Sequence, residues 1–348
     1  MKQVLAALAA WALLVSASPS PLVDDALIAG DTLPPSLSDF HLLSGPYGRT
    51  PNTRVTPYKL NTPLFSDYAE KFRFFYVPAG QKVGWRDDGV LDFPVGSVLI
   101  KSFGYPADMR KPDDKVRILE TRLLVRRASG WIALPYVWNA DGSDAVLKRA
   151  GLRIDVRWTH LDGKPRAISY AVPNVNQCKG CHDNGANGLG LIGPKARNFN
   201  RDGQLQALYK AGKLDRLPAD APRLPVWDDP ATGSVAMRAR AYLDVNCAHC
   251  HNRRGPANTS GLWLNWEQEP GPNLGIGKRP TAAGRGSGDD DFAIDPGHPE
   301  RSIMVYRMQS LDPGIAMPEL GRASVHEEGV ALLSQWIAAM PMDAERRP

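Results

Sequence analysis

The sequence predicts a multidomain α+β protein, with an N-terminal antiparallel β-sandwich or jelly-roll-like domain followed by two α-helical units. Three observations support this fold class. Short strand-favouring runs separated by turn residues fill positions 58–172. Two copies of one cysteine–histidine motif lie in the C-terminal half. Apolar residues recur at helical spacing before the second motif and again near the C-terminus. The length of 348 residues leaves room for two or three domains.

The N-terminus predicts an export signal. Lys2 precedes an apolar run, Val4 to Val15, and small residues end at Ala17 as they do before a signal-peptidase cut. The run is too short to span a bilayer comfortably, and no other stretch approaches a membrane span. We therefore expect cleavage near Ala17, a periplasmic location and no transmembrane span after cleavage. An uncleaved N-terminal anchor is the alternative.

Five segments are expected along the chain. They are a signal peptide (1–17), a loop-rich lead-in (18–57), a β-rich domain (58–172), a first motif unit (173–233) and a second motif unit (234–348). Pro, Ser and Thr dominate the lead-in. The β-rich domain contains four strand-like runs, Val95–Tyr105, Val116–Arg127, Gly130–Asn139 and Leu152–Trp158. Asp-Gly and Ser-Gly turn signals separate these runs, which is the spacing of a sandwich or jelly roll.

The two motifs carry the chemistry. Cys178-Lys179-Gly180-Cys181-His182 and Cys247-Ala248-His249-Cys250-His251 both read Cys-x-x-Cys-His and use all four cysteines of the chain. In this pattern two thiols add to the vinyl groups of a haem, and the next histidine ligates the iron. The motifs therefore predict two covalently attached haem c groups, held by Cys178, Cys181, Cys247 and Cys250. His182 and His251 are the predicted proximal ligands.

Zinc and disulfide bonds are the alternatives for these cysteines. Zinc ribbons pair two Cys-x-x-Cys knuckles about 15–20 residues apart, whereas the gap from Cys181 to Cys247 is far longer. Neither zinc nor a disulfide explains the histidine after each pair. Haem attachment is therefore the favoured interpretation.

The helical patterns suggest that both motif units are cytochrome c-like. Pro173 and Asn174 precede the first motif, so no long helix leads into it. A helix is expected over 202–211 and another from Ser234 to Val245, leading into Cys247. A capping box of Ser324 and Glu327 predicts the start of a C-terminal helix. Two terminal helices crossing over a haem is the cytochrome c arrangement.

The sixth ligand of each iron decides whether a haem carries electrons or performs chemistry, because a methionine thioether raises the potential and blocks substrate access. Met317, just before the C-terminal helix, is the expected distal ligand of the second haem, with Met304 and Met308 as rivals. A purely packing role for Met317 is the alternative. For the first haem Lys195, His160 and a five-coordinate or water-bound iron remain open.

Charge argues against nucleic acid. The formal charge is +5, but loss of Lys2 and the propionates of two haems bring the mature protein near neutrality. Basic and acidic residues are interspersed, and no basic stripe with interleaved aromatic residues is present.

The chain resembles a family of exported bacterial diheme c-type cytochromes of uncharacterised function. The segments that carry the resemblance are Asn176–His182, Gly193–Asn198, Arg238–His251, Thr259–Leu262 and Asp312–Arg322. The resemblance implies haem binding and electron transfer. It implies no substrate and no activity for the β-rich domain.

These observations together predict a periplasmic diheme cytochrome c that passes single electrons between redox partner proteins, such as a periplasmic dehydrogenase or a terminal reductase. One alternative is a diheme peroxidase-like enzyme with an open coordination site at the first haem. Against it, no second histidine is placed as a distal acid/base in the sequence. Another alternative is a binding module whose β-rich domain recognises a carbohydrate or a dehydrogenase.

Overall fold

A six-stranded antiparallel sheet is the largest element of the computed structural model, which describes residues 21–87, 89–182 and 188–342. The predicted signal peptide lies outside these residues. The strands of the sheet follow one another in chain order: β3 (Val55–Pro57), β4 (Glu70–Tyr76), β5 (Val98–Tyr105), β6 (Arg117–Arg127), β7 (Gly130–Trp138) and β8 (Ala145–Leu147). Two short pairs accompany it, namely β1 (Leu43–Ser44) with β2 (Thr50–Pro51), and the hairpin of β9 (Leu152–Thr159) and β10 (Pro165–Val172).

The described residues form seven α-helices, none longer than 12 residues. They are α1 (Asp25–Ala29), α2 (Val175–His182), α3 (Ala196–Phe199), α4 (Gln204–Lys210), α5 (Val235–Asn246), α6 (Ile303–Gln309) and α7 (Glu327–Ala338). No helix in this part of the chain is long and apolar enough to cross a membrane.

One face of the sheet forms the main core. Side chains alternate across a strand, so Phe74, Ile100 and Leu123 point to the same side. They are buried there with Tyr136 and with Ile28 of α1. The loop-rich lead-in supplies α1 and its neighbours to this core, and the first sheet face is thereby closed.

The opposite face of the sheet packs against later parts of the chain. At one end Phe75 and Leu99 meet Phe199 of α3 and Leu205 of α4, in what we call the helix-side cluster. At the other end Phe103 meets the β9–β10 hairpin, in what we call the hairpin-side cluster, whose other members include Leu119, Val156, Trp158 and Tyr170. The segment that follows the first motif therefore shares its core with the sheet.

The C-terminal helices form a separate core. Ala239 and Leu243 of α5 pack against Val330, Leu333 and other residues of α7. Met308 is 7% exposed within this core and Met304 packs against it. Both rival methionines therefore have packing roles.

The predicted fold class is wrong in two respects. The β-rich domain is not a β-sandwich or jelly roll, because its main sheet is a single meander covered by helices, loops and a separate hairpin. No cytochrome-like all-helical unit occurs in the described ranges. The α-helices of residues 188–233 are α3 and α4, of 4 and 7 residues, and these short helices bury their apolar side chains against the sheet. Strand patterns alone do not reveal whether a second sheet or a helix covers the open face.

Individual elements agree better with the prediction. The four strand-like runs contain β5, β6, β7 and β9, and the three expected helices correspond to α4, α5 and α7. The predicted capping box of Ser324 and Glu327 is wrong, because the residue that precedes α7 is His326, which makes no side-chain cap. The backbone N–H and the hydroxyl of Ser324 donate instead to Asp67 Oδ1, both at 2.8 Å.

Substitution of Phe199 tests the shared core. Phe199 is 1% exposed and stacks on Tyr58 at 5.2 Å between ring centroids. We expect Phe199→Ala to lower the free energy of unfolding by about 3–5 kcal/mol, because it leaves a cavity between α3 and the sheet. The measurement is urea unfolding followed by circular dichroism. Tyr209→Ala on α4 is the control, since Tyr209 is 52% exposed. Equal stabilities of the two variants would contradict the shared core.

Candidate metal centre

The first motif lies on a short helix. Asn174 and Gln177 bond reciprocally at the start of α2, as in a capping box, with N–O distances of 2.8 and 3.0 Å. Cys178 and Cys181 lie within the helix and His182 is its last residue. The His182 Nδ1 lies 2.8 Å from the carbonyl oxygen of Gly190. Because a carbonyl can only accept, Nδ1 carries the proton and the Nε2 lone pair is left for a metal.

The second motif follows α5 directly. His251 Nδ1 lies 3.2 Å from Ser260 Oγ. That hydroxyl donates its own proton to the carbonyl of Ala257 at 2.6 Å, so its oxygen accepts from His251 Nδ1. The tautomer of His251 is therefore the same as that of His182, with Nε2 unprotonated.

Burial favours the neutral form of both imidazoles. Desolvation lowers the pKa of His182, an effect that the bond to Gly190 O only partly offsets. Desolvation also lowers the pKa of His251 to about 4, with a contribution from the charge of Arg307. A neutral imidazole is the form that ligates a metal, so both residues are ready for that role at neutral pH.

The fold brings the two motifs together. The side chains of Cys181 and Cys250 interact, which lowers the pKa of the first thiol to about 4 and raises that of the second. Both motifs line one cavity of ≈ 720 Å³, to which Cys181, His182 and His249 contribute. This volume falls within the range of about 300–1,000 Å³ that is usual for cofactor and ligand pockets.

The loop that carries Met317 lies near both motifs. A Cβ atom on Gly180 would lie 2.8 Å from Leu320 Cδ1, so Leu320 packs against the first motif. Glu319 is close enough to Cys250 to raise the pKa of its thiol, after the larger effects of Cys181 and burial. Met317 itself is half-buried, and its backbone N–H donates to Arg307 O at 2.9 Å. Its ligation of an iron stays a prediction.

The two side chains considered for the first haem have other partners. Lys195 Nζ lies 2.7 Å from Asp244 Oδ1. His160 is 4% exposed, and its ring lies against Tyr68 with 4.6 Å between centroids. Its Nε2 lies 3.8 Å from Glu328. Ligation by either residue would break these contacts.

Sequence reasoning missed His249, which lies between the two cysteines of the second motif. Its side chain lines the shared cavity and interacts with Cys181 of the first motif. Its buried Nδ1 has no hydrogen-bond partner among the described residues. His249 occupies an x position of the Cys-x-x-Cys-His pattern, and the pattern says nothing about the side chain there. Its contact with the first motif depends on how α2 and α5 meet.

Asp244 connects the two motif regions. This carboxylate of α5 is 2% exposed, and its Oδ1 accepts from Lys195, from Arg197 at 3.1 Å and from the Trp266 N–H at 2.9 Å. Burial alone would raise the pKa of Asp244, but the charges of Lys195 and Arg197 outweigh it and lower the pKa. The buried ion cluster therefore ties α5 to the segment that begins α3.

The residues fit haem c on structural grounds. Four free thiols, two histidines with available Nε2 atoms and a cavity shared by both motifs are present. Among the described residues no three His, Cys, Asp or Glu side chains converge as a directly bound ion would require. In comparisons with known proteins, no family model, no curated protein and no solved structure matches this chain.

Substitution of Asp244 tests the ion cluster and its pH dependence. We expect Asp244→Asn to lower the free energy of unfolding at pH 7 by about 3–5 kcal/mol, because it leaves Lys195 and Arg197 without their buried counter-charge. The folded-state pKa of Asp244 is depressed, so its contribution is complete above the unfolded pKa of about 3.9 and is lost as the pH falls through the folded pKa.

The measurement is urea unfolding of both proteins across the acid range. The difference between wild type and Asp244→Asn should shrink below pH 4, where wild-type Asp244 also takes up a proton. The exposed residue Asp220 provides the control, Asp220→Asn. A difference that stays constant down to acid denaturation would contradict the assignment.

Proposed function

We propose that this chain is an exported diheme c-type cytochrome that passes single electrons between redox partner proteins. The observation that carries the proposal is the meeting of the two motifs, Cys181 beside Cys250, around one cavity. The matched tautomers of His182 and His251 support it. Two haem attachment sites so close together favour electron transfer within the chain over a separate structural role for each site.

Each motif residue has a definite role in this proposal. The thiols of Cys178, Cys181, Cys247 and Cys250 would hold the two haems by adding across their vinyl groups, with each S–H proton going to a vinyl carbon. Gly190 O and Ser260 Oγ hold the Nδ1 protons of His182 and His251, so that the Nε2 atoms of both residues would be free to bind iron. Haem c, once bound, supplies a one-electron Fe(III)/Fe(II) couple.

The partners and the location are parts of the same proposal. The expected partners are redox proteins such as a periplasmic dehydrogenase or a terminal reductase, because haem c is attached outside the bacterial cytoplasm. Because the two motifs lie close together, an electron that one partner delivers to one haem can pass to the other haem. A second partner can then remove the electron there.

Haem content tests the proposal directly. Protein expressed with the export sequence and a haem c maturation system should carry two covalent haems per chain, measured as pyridine haemochrome and by intact mass. The double variant Cys247→Ala/Cys250→Ala should lose one haem and keep the first. Ser260→Ala is the matched control, since it removes the partner of His251 Nδ1 but no thiol. Fewer than two covalent haems on the wild-type chain would contradict the proposal.

Met317→Ala tests the predicted distal ligand of the second haem. Because a thioether ligand raises the potential, we expect one midpoint potential to fall and the charge-transfer band of Met-ligated ferric haem to disappear. Met308→Ala, which alters a packing residue of the C-terminal core, is the control. Low-temperature EPR of the same samples reports the spin state. Wild-type protein should show two low-spin signals, whereas a high-spin signal would favour the peroxidase-like alternative.

A further inference from the structure

Three basic side chains cross the sheet side by side. Arg73 of β4 pairs in register with Lys101 of β5, which pairs with Arg122 of β6. Lys71 lies two residues from Arg73 and therefore on the same face. We call these four residues the cationic row. From the alternation of side chains alone, four basic residues on one face would be expected on the solvent side of a half-exposed sheet.

The cationic row is not fully exposed to solvent. Its face is closed at one end by the helix-side cluster and at the other by the hairpin-side cluster. Lys101 Nζ lies 4.7 Å and the Arg122 guanidinium 4.3 Å from the centroid of the Phe103 ring, which belongs to the hairpin-side cluster. The row therefore lies half-buried between the two clusters, where the side chain of Arg122 is still 32% exposed.

The first motif lies beside the cationic row. The helix α2 packs against β7, next to the Arg122 end of the row. Burial raises the pKa of Cys178, and the nearby charge of Arg122 partly opposes the increase. Lys101 is close enough to contribute to the lowered pKa of His182, after the larger effect of burial. Lys71 and Arg73 lie on β4, farther across the sheet from α2.

The row has too few counter-charges. Arg122 forms an ion pair with Glu120, which also accepts from Tyr170. Among the described residues Arg73 donates only to the carbonyl of Lys71 at 3.4 Å, and its buried Nη2 has no partner. Burial lowers the pKa of Lys71 to about 7 and also lowers that of Lys101, in both cases with added repulsion from Arg73, so a lysine here either loses its proton or pairs with an anion. An arginine does not lose its proton, so Arg73 needs an anionic partner.

We propose that the cationic row binds the propionate carboxylates of the haem attached to Cys178 and Cys181, an inference that rests on the proposed function. Haem carries its vinyl groups and its propionates on opposite sides of the ring. Attachment near the Arg122 end directs the propionates toward Lys101, Arg73 and Lys71. Arginine matches a carboxylate with two parallel donors, and lysine adds a point charge. The β-rich domain thereby acquires a role in setting the potential of the first haem.

The charge of the row has a predictable effect on that haem. Positive charge near an iron stabilises the reduced form, so removal of one cation lowers the midpoint potential. The same change raises the pKa of the propionate that loses its partner, and the potential then becomes pH-dependent. Seven other titratable groups lie within electrostatic range of the row and set the background for this effect, namely Tyr58, Asp67, Glu70, Glu120, Tyr170, Cys178 and His182.

The experiment compares Lys101→Met, Lys101→Arg and Arg73→Met in the mature holoprotein. Haem content and spectroelectrochemical midpoint potentials are measured on the same samples between pH 5 and 9. We expect two covalent haems in every variant. One of the two midpoints should fall and gain a pH dependence in Lys101→Met and Arg73→Met, while Lys101→Arg stays close to wild type. The exposed residue Lys111 provides the control, Lys111→Met.

The possible failures are distinguishable. Two haems with both midpoints unmoved in Lys101→Met and Arg73→Met would overturn the inference and leave the proposed function standing. Midpoints that respond only to added inorganic phosphate would assign the row to a free anion and also overturn the inference. Wild-type protein without covalent haem would overturn both. Arg73→Met keeps the test valid if Lys101→Met does not fold.

Discussion

The two-sided burial of one sheet is the constraint on which the rest of this structure depends. Because side chains alternate along β4, β5 and β6, each strand supplies one set of residues to the main core and another set to the opposite face. The lead-in closes the first face. The second face is left to α3, α4 and the β9–β10 hairpin. The segments that surround the first motif are consequently positioned by the sheet.

The same constraint explains why the motifs meet. The segment that follows the first motif must lie on the sheet to bury Phe199 and Leu205. Asp244 then links this segment to α5 through Lys195 and Arg197, and α5 leads directly into the second motif. The loop at Glu319 and Leu320 lies near both motifs, with Leu320 against Gly180. The segment after the first motif and the region of α5 with the second motif therefore converge on one cavity, with the cationic row on the neighbouring sheet face.

Local patterns predicted much of the secondary structure, and they also supplied the haem-attachment hypothesis, which stays a prediction. Alternation identified the region of β6, and helical spacing identified α5 and α7. The assembly was predicted wrongly because a strand pattern shows only that one face is buried, not what buries it. The expected capping box at Ser324 failed for a related reason, since Asp67, 257 positions away in the chain, accepts the backbone N–H of Ser324 that the Glu327 side chain would have bonded and also binds the Ser324 hydroxyl.

The sequence by itself indicated which residues would hold haem in the proposed function, because the spacing of two thiols and an adjacent histidine is set by the covalent chemistry of attachment and is read directly from the chain. It also determined the strands and helices that depend on local periodicity. Only the tertiary structure decided that His182 and His251 leave the same nitrogen unprotonated, that His249 lines the cavity and that four basic side chains share a half-buried sheet face. These features depend on contacts between residues far apart in the chain, and local propensity carries no information about such contacts.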